Sequence, residues 1–193
     1  TGYMAAHIEE HFGLKHKGLL VDYSQEGYPL GTGGALKLAG QMFDTKYCLV
    51  MNGDSYVEFD PVLLLTAHEK SNAKITLVVK KVVDSSSYGL VRMGEDNAIN
   101  AFTEKSGVTE EGLINVGIYL INTTELQDIP DFKPCSLEYD FFPSMTGKRL
   151  YGFEISGRFI DIGTPESYIL AEKFFRESIC TPLITNQCKS ITK

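Results

Sequence analysis

Two apolar runs, Cys48-Leu49-Val50-Met51 and Ile75-Thr76-Leu77-Val78-Val79, constrain the fold of this chain most. A strand that is apolar on successive residues has no polar face to give to water, so it must be covered on both sides. Helical patterns flank these runs, over residues 7–12, 32–43 and 61–71, with further extended segments over 18–24 and 47–52. That alternation predicts an α/β fold with a Rossmann-like, mixed and mostly parallel sheet flanked by helices. Asp60 before Pro61 reads as the cap of the third helix, since proline suits a first helical turn and has no N–H to satisfy. Beyond Lys80 the pattern turns β-rich, with strands over 89–93, 99–104, 113–121 and 151–155 that suit a lid or second lobe. Residues 138–142 read as a short helical turn. Residues 165–178 read as an amphipathic helix with Tyr168, Ile169, Ala171, Phe174 and Phe175 on its apolar side. Residues 1–180 are expected to form one domain, and 181–193, which lack periodicity, a tail.

The 193 residues are 43% hydrophobic, enough for one domain with a sizeable core. A formal net charge of −7 disfavours a nucleic-acid partner, which would call for a basic face. The apolar runs are far shorter than a bilayer span, and Thr1 does not open a charged-then-apolar secretion signal, so the reading is cytoplasmic with no membrane partner. Cys48, Cys135, Cys180 and Cys188 show no CxxC spacing, which argues against a zinc or redox motif. Cys48 is expected to be a buried free thiol, and Cys180 and Cys188 to be reduced. His7, His11, His16 and His68 accompany no serine or cysteine elbow, so a hydrolase triad has no support.

Function is written most densely in Tyr28-Pro29-Leu30-Gly31-Thr32-Gly33-Gly34-Ala35-Leu36 and in Val50-Met51-Asn52-Gly53-Asp54. The first is a glycine-rich turn before a helix, with Thr32 placed as the cap; the second sets a carboxylate after an apolar strand. In open α/β sheets such positions lie where ligands bind, and helix N-termini can receive a phosphate. Both also have a plainer reading. Glycine turns before helices are common in α/β proteins and often bind nothing, Asp54 can cap the Asn52-Gly53 turn, and Asp161 can cap the helix that Pro165 opens. The spacing Gly31-x-Gly33-x-x-Leu36 lacks the third glycine or alanine of a dinucleotide fingerprint.

These two blocks, together with Ser87-Tyr88-Gly89-Leu90-Val91, Phe102-Thr103-Glu104-Lys105, Gly112-Leu113-Ile114-Asn115-Val116-Gly117-Ile118-Tyr119 and residues 158–168, resemble the sugar-1-phosphate nucleotidyltransferase family in content and order. The resemblance covers almost the whole chain and is strongest to the guanylyl branch that uses heptose or mannose 1-phosphate. It implies a fold of the nucleotide-diphospho-sugar transferase type. It also implies transfer of GMP from GTP to a sugar 1-phosphate, giving a nucleotide sugar and pyrophosphate. Mg2+ would be the cofactor, held by Asp54 and Asp161, with Lys105 as the cation for the sugar phosphate. Glu26, Pro29, Leu30, Gly31, Thr32, Gly33 and Asn52 would face the nucleotide. Tyr88, Gly89, Glu104, Asn115 and Gly117 would face the sugar.

The resemblance further implies an initial strand, a Gly-Gly-x-Gly-Thr-Arg loop and a helix that these 193 residues do not contain. Preceding residues, a separate segment or exchange between copies would be needed to complete such a sheet, which leaves room for a homo-oligomer. Two other readings stand beside the enzyme. One is a non-catalytic binding or regulatory module of the same fold; the other is a metal-dependent glycosyltransferase using Asn52-Gly53-Asp54, although an Asp-x-Asp pair is absent.

Overall fold

A computed structural model describes residues 1–86, 88–103, 109–131 and 134–179. In chain order the elements are α1 (Ala5–Phe12), β1 (Lys15–His16), β2 (Leu19–Leu20), α2 (Gly31–Ala39), β3 (Tyr47–Met51), β4 (Ser55–Val57), α3 (Pro61–Lys70), β5 (Ile75–Val82), β6 (Leu90–Met93), β7 (Ile99–Thr103), β8 (Gly112–Asn122), α4 (Phe142–Ser144), β9 (Leu150–Ile155), β10 (Phe159–Asp161) and α5 (Pro165–Ile179). A π-helical turn over Leu137–Phe141 leads into α4. The chain divides into a larger unit, 1–52 with 59–156, and a smaller one, 53–58 with 157–193.

The larger unit is built on a six-stranded sheet of order β7-β6-β8-β5-β9, with β3 also on β8. Strand β8 organises it. Its first half pairs with β6 and its second half with β3 along one edge, while β5 takes the other edge. On β5, Ile75, Leu77 and Val79 join a core with Leu36 of α2, Phe141 and Phe142. Successive strand residues face opposite sides, so Thr76 and Val78 face the other layer. There His68 of α3 reaches the Thr76 hydroxyl at 2.8 Å. Helices therefore cover both faces, as the α/β reading expects.

Four expectations about the strands need correction. The sheet is mixed but not mostly parallel: among its described strand pairs only β5 with β9 is parallel, while β3, β5 and β6 all run antiparallel to β8. An apolar run reports burial and carries no information on direction, so a buried antiparallel strand reads the same. The strands after Lys80 form no separate lobe; β6, β7, β8 and β9 belong to the same sheet as β3 and β5. Burial on both faces holds for Ile75 to Val79 but not for β3, where Leu49 and Met51 are exposed. The extended stretch 18–24 contributes only Leu19–Leu20, paired with Lys15–His16.

Asp60 caps α3 as read, its Oδ1 accepting the N–H groups of Val62 at 2.8 Å and Leu63 at 3.2 Å. Cys48 is free and half-buried, and burial pushes its thiol pKa up to about 11. Cys180, Cys188 and the tail lie outside the described residues. In the smaller unit β4 and β10 pair antiparallel, and Phe174 and Phe175 of α5 meet the Tyr56 ring edge-on. Tyr168 and Ile169, expected on the same apolar side, are exposed. No helix among the described residues is long and apolar enough to cross a membrane.

Candidate functional site

The glycine-rich turn owes its composition first to packing. Helix α2 starts at Gly31, whose φ of +74° lies in the left-handed region that costs a side chain about 1–2 kcal/mol. A Cβ there would stand 2.5 Å from the Cys135 carbonyl oxygen, and one on Gly33 would stand 2.9 Å from the Cys135 sulfur. That same carbonyl accepts the Gly33 N–H at 2.8 Å and the Gly34 N–H at 3.4 Å, while the Cys135 N–H donates to the Leu30 carbonyl at 2.8 Å. Two of the N–H groups that a helix start would offer a phosphate are therefore already occupied.

Other residues of this turn also take structural places. Glu26 Oε2 accepts the Leu30 N–H at 2.9 Å, closing the turn from within. Leu30 is buried, and Pro29 is exposed beside it. Thr32 does not cap α2: the residue before the helix is Leu30, with no side-chain cap. Sequence placed the cap wrongly because Gly31 itself supplies the first turn. The Thr32 hydroxyl instead accepts the Leu137 N–H at 2.9 Å and donates to Glu138 Oε2 at 3.2 Å.

A second cluster forms where β8 bulges. The β5–β8 register shifts between Leu77 and Val79, and Gly117 takes φ +78°. Its carbonyl accepts the Asn52 N–H at 2.8 Å, and a Cβ on Gly117 would collide with the Asn52 carboxamide at 2.5 Å. Gly117 N–H donates to Asn115 Oδ1 at 3.0 Å, Asn115 Nδ2 to the Tyr119 hydroxyl at 2.9 Å, and that hydroxyl to Glu138 Oε1 at 2.8 Å. Asn52, Asn115 and Gly117 are thus brought together from distant parts of the sequence. Tyr88 N–H closes a turn on Ser85, and Gly89 precedes Leu90, which pairs with Ile114 next to Asn115. Glu104 and Lys105 lie outside the described residues.

In the smaller unit Asp54 and Asp161 come together. The register pairs Asp161 with Ser55, and the Ile162 N–H donates to the Asp54 carbonyl at 2.8 Å, which sets both aspartates at one end of the β4–β10 ladder. A Cβ on Gly163 would meet Asp161 Oδ1 at 3.0 Å and Asp54 Oδ2 at 3.2 Å, so the carboxylates face a common space that only glycine leaves open. Asp161 Oδ1 also accepts the Gly163 N–H at 2.7 Å. Two hard oxygen donors facing one space suit a divalent cation with water and phosphate as its other ligands. Among the described residues no group of three or more His, Cys, Asp or Glu gathers at metal-holding distance. Glu58 is spent on Arg158, at 3.0 Å from Nε and from Nη2, and this guanidinium holds its carboxyl below the usual range.

Sequence reasoning missed Cys135, Tyr119 and Glu138. Cys135 and Glu138 carry no local signal: Cys135 matters through residues roughly a hundred positions upstream, and Glu138 through Thr32, 106 positions upstream, and Tyr119, 19 upstream. Tyr119 had a weak one: it stands four residues from Asn115 in an otherwise apolar strand, on the same face by strand period.

A nucleotidyl transferase family model matches residues 1–178. The chain is 36% identical over 174 residues to the D-glycero-alpha-D-manno-heptose 1-phosphate guanylyltransferase of Aneurinibacillus thermoaerophilus, spanning 90% of this chain and 75% of that protein. It is 33% identical over 170 residues to mannose-1-phosphate guanyltransferase 2 of Candida glabrata, spanning 86% of this chain but only 47% of the relative. Among solved structures, HddC from Yersinia pseudotuberculosis superposes with a TM-score of 0.78 at 33% identity, over 90% of this chain and 76% of that one. The same protein has been solved in complex with GMP-PN.

Proposed function

The chain belongs to the nucleotidyl transferase family, and on that premise we propose that the protein carrying it transfers GMP from GTP to a manno-configured sugar 1-phosphate, of heptose or mannose, releasing pyrophosphate. The observation that carries the chemistry is the pairing of Asp54 with Asp161 across Gly163. The choice of guanine nucleotide and manno sugar rests on the relatives, two of which are guanylyl enzymes for such sugars.

The attacking sugar phosphate is already an anion, so the reaction needs little proton transfer. Its difficulty lies in bringing two anions into line and offsetting their charge. Asp54 and Asp161 would hold Mg2+, which supplies charge neutralisation and orientation of phosphate oxygens when bound. Lys105 would neutralise the sugar phosphate and Glu104 would accept sugar hydroxyls. The Asn115 amide, with one N–H committed to Tyr119, keeps a second N–H for a sugar hydroxyl. Because the Cys135 carbonyl fills the Gly33 and Gly34 N–H groups, the glycine-rich turn is suited to a base edge rather than to a phosphate. Tyr88, Gly89 and Gly117 would line the sugar, and Glu26, Pro29, Leu30, Gly31, Thr32, Gly33 and Asn52 would shape the base side.

The test is a pyrophosphate-release assay on Asp54→Asn and Asp161→Asn. Each removes a charge and little volume, so turnover should drop by about 100-fold or more while cooperative unfolding persists. Turnover within about threefold of wild type in both variants would remove the carboxylate pair from the reaction.

A further inference from the structure

We infer that Glu138 is a positioning residue that joins the glycine-rich turn to the Asn115–Gly117 bulge through a single carboxylate. The inference rests on the assignment of those two segments to nucleotide and sugar given above. Each hydrogen bond in the chain has only one possible polarity. The Gly117 N–H can only donate, so the Asn115 oxygen must face it and the Asn115 NH2 must face Tyr119. The Tyr119 oxygen then accepts, and its proton goes to Glu138 Oε1. Burial, reinforced by the Glu138 charge, holds the Tyr119 phenol well above its usual range and keeps it protonated. On the other side Thr32 accepts the Leu137 N–H and gives its proton to Glu138 Oε2, which also accepts the Ser136 hydroxyl at 3.1 Å.

Turning over the Asn115 amide would set donor against donor at Gly117, so the bulge keeps one orientation as long as the Tyr119 proton has its acceptor. Rigidity comes from Ser136, whose hydroxyl oxygen accepts the N–H groups of Glu138 and Tyr139, each at 3.2 Å. One carboxylate thereby fixes the side chain offered to the sugar and the hydroxyl at the start of α2.

Substitutions separate the two arms. Tyr119→Phe keeps the ring that meets Phe142 edge-on and removes only the hydroxyl. It should raise KM for mannose 1-phosphate about tenfold and leave KM for GTP within about twofold. Glu138→Gln should do the reverse. Its oxygen stays with Tyr119, whose proton is buried and has no alternative, while its NH2 turns to Thr32, which is exposed and can use water. Glu138→Ala should raise both constants. If the wild-type protein releases no pyrophosphate with GTP and either mannose 1-phosphate or heptose 1-phosphate, the functional reading falls and takes this inference with it; the constants above are read with whichever of the two sugars it uses. If it does release pyrophosphate, and Tyr119→Phe and Glu138→Gln move both constants together or neither, the positioning role alone is overturned.

Discussion

Gly31 and Gly53 stand in neighbouring signature blocks yet make opposite demands. A side chain at Gly31 would meet both a left-handed backbone and the Cys135 carbonyl, whereas a Cβ at Gly53 finds nothing within 4 Å. Gly31→Ala should therefore destabilise the protein by about 2 kcal/mol or more, and Gly53→Ala by less than about 0.5 kcal/mol, as read by denaturant unfolding. Equal losses would contradict the packing account of the glycine-rich turn. His68 carries a pH dependence. It is buried, with Nδ1 2.8 Å from the Thr76 hydroxyl and Nε2 2.9 Å from Asn122 Oδ1, and burial pulls its pKa below the usual histidine value. The unfolded chain then takes up the proton first, so stability is full above about pH 6.5 and drains as pH falls towards the lower folded value. Unfolding free energies measured from pH 8 to pH 5 should show this loss, and His68→Gln, which cannot charge, should flatten it. A slope unchanged by that substitution would assign the loss to other groups.

At the scale of elements, α3 was the most legible helix because its start is written in adjacent residues. Asp60 and Pro61 act locally, through two N–H groups and a fixed φ, and tertiary context adds little. Asp60→Ala should cost about 1 kcal/mol, measured as a drop in unfolding free energy with unchanged denaturant slope. No loss would mean that α3 is held by packing alone. Strand direction was not legible, because β5 reads as buried whether its neighbours run parallel or antiparallel. Here β9 runs parallel to it and β8 antiparallel. The strands β4 and β10, three residues each, are too short for a period to show. They nonetheless set Asp54 beside Asp161.

At the scale of the whole molecule, the residues proposed for the chemistry were legible as types and not as partners. For Asp54 and Asp161 the residues alone offered a carboxylate after an apolar strand, and their pairing at one metal came from the family resemblance; the β4–β10 register supplies the structural reason that they share an end. The glycine-rich turn was read as a close approach of backbone to a ligand; that the approaching group is Cys135 depends on contacts between residues about a hundred positions apart, and that Glu138 ties the turn to the bulge depends on one contact 106 positions away and another 19 away. The net charge of −7 fits substrates whose anionic groups are met by a bound cation rather than by a basic surface. The central claim is guanylyl transfer to a manno-configured sugar 1-phosphate. Its most direct test is pyrophosphate release by the protein carrying this chain, with Mg2+ and mannose or heptose 1-phosphate, compared across GTP, ATP, UTP and dTTP. Release with GTP at about tenfold or more the kcat/KM of any other nucleotide is the predicted result. Release with UTP or dTTP but not GTP, or none with any of the four, would contradict it.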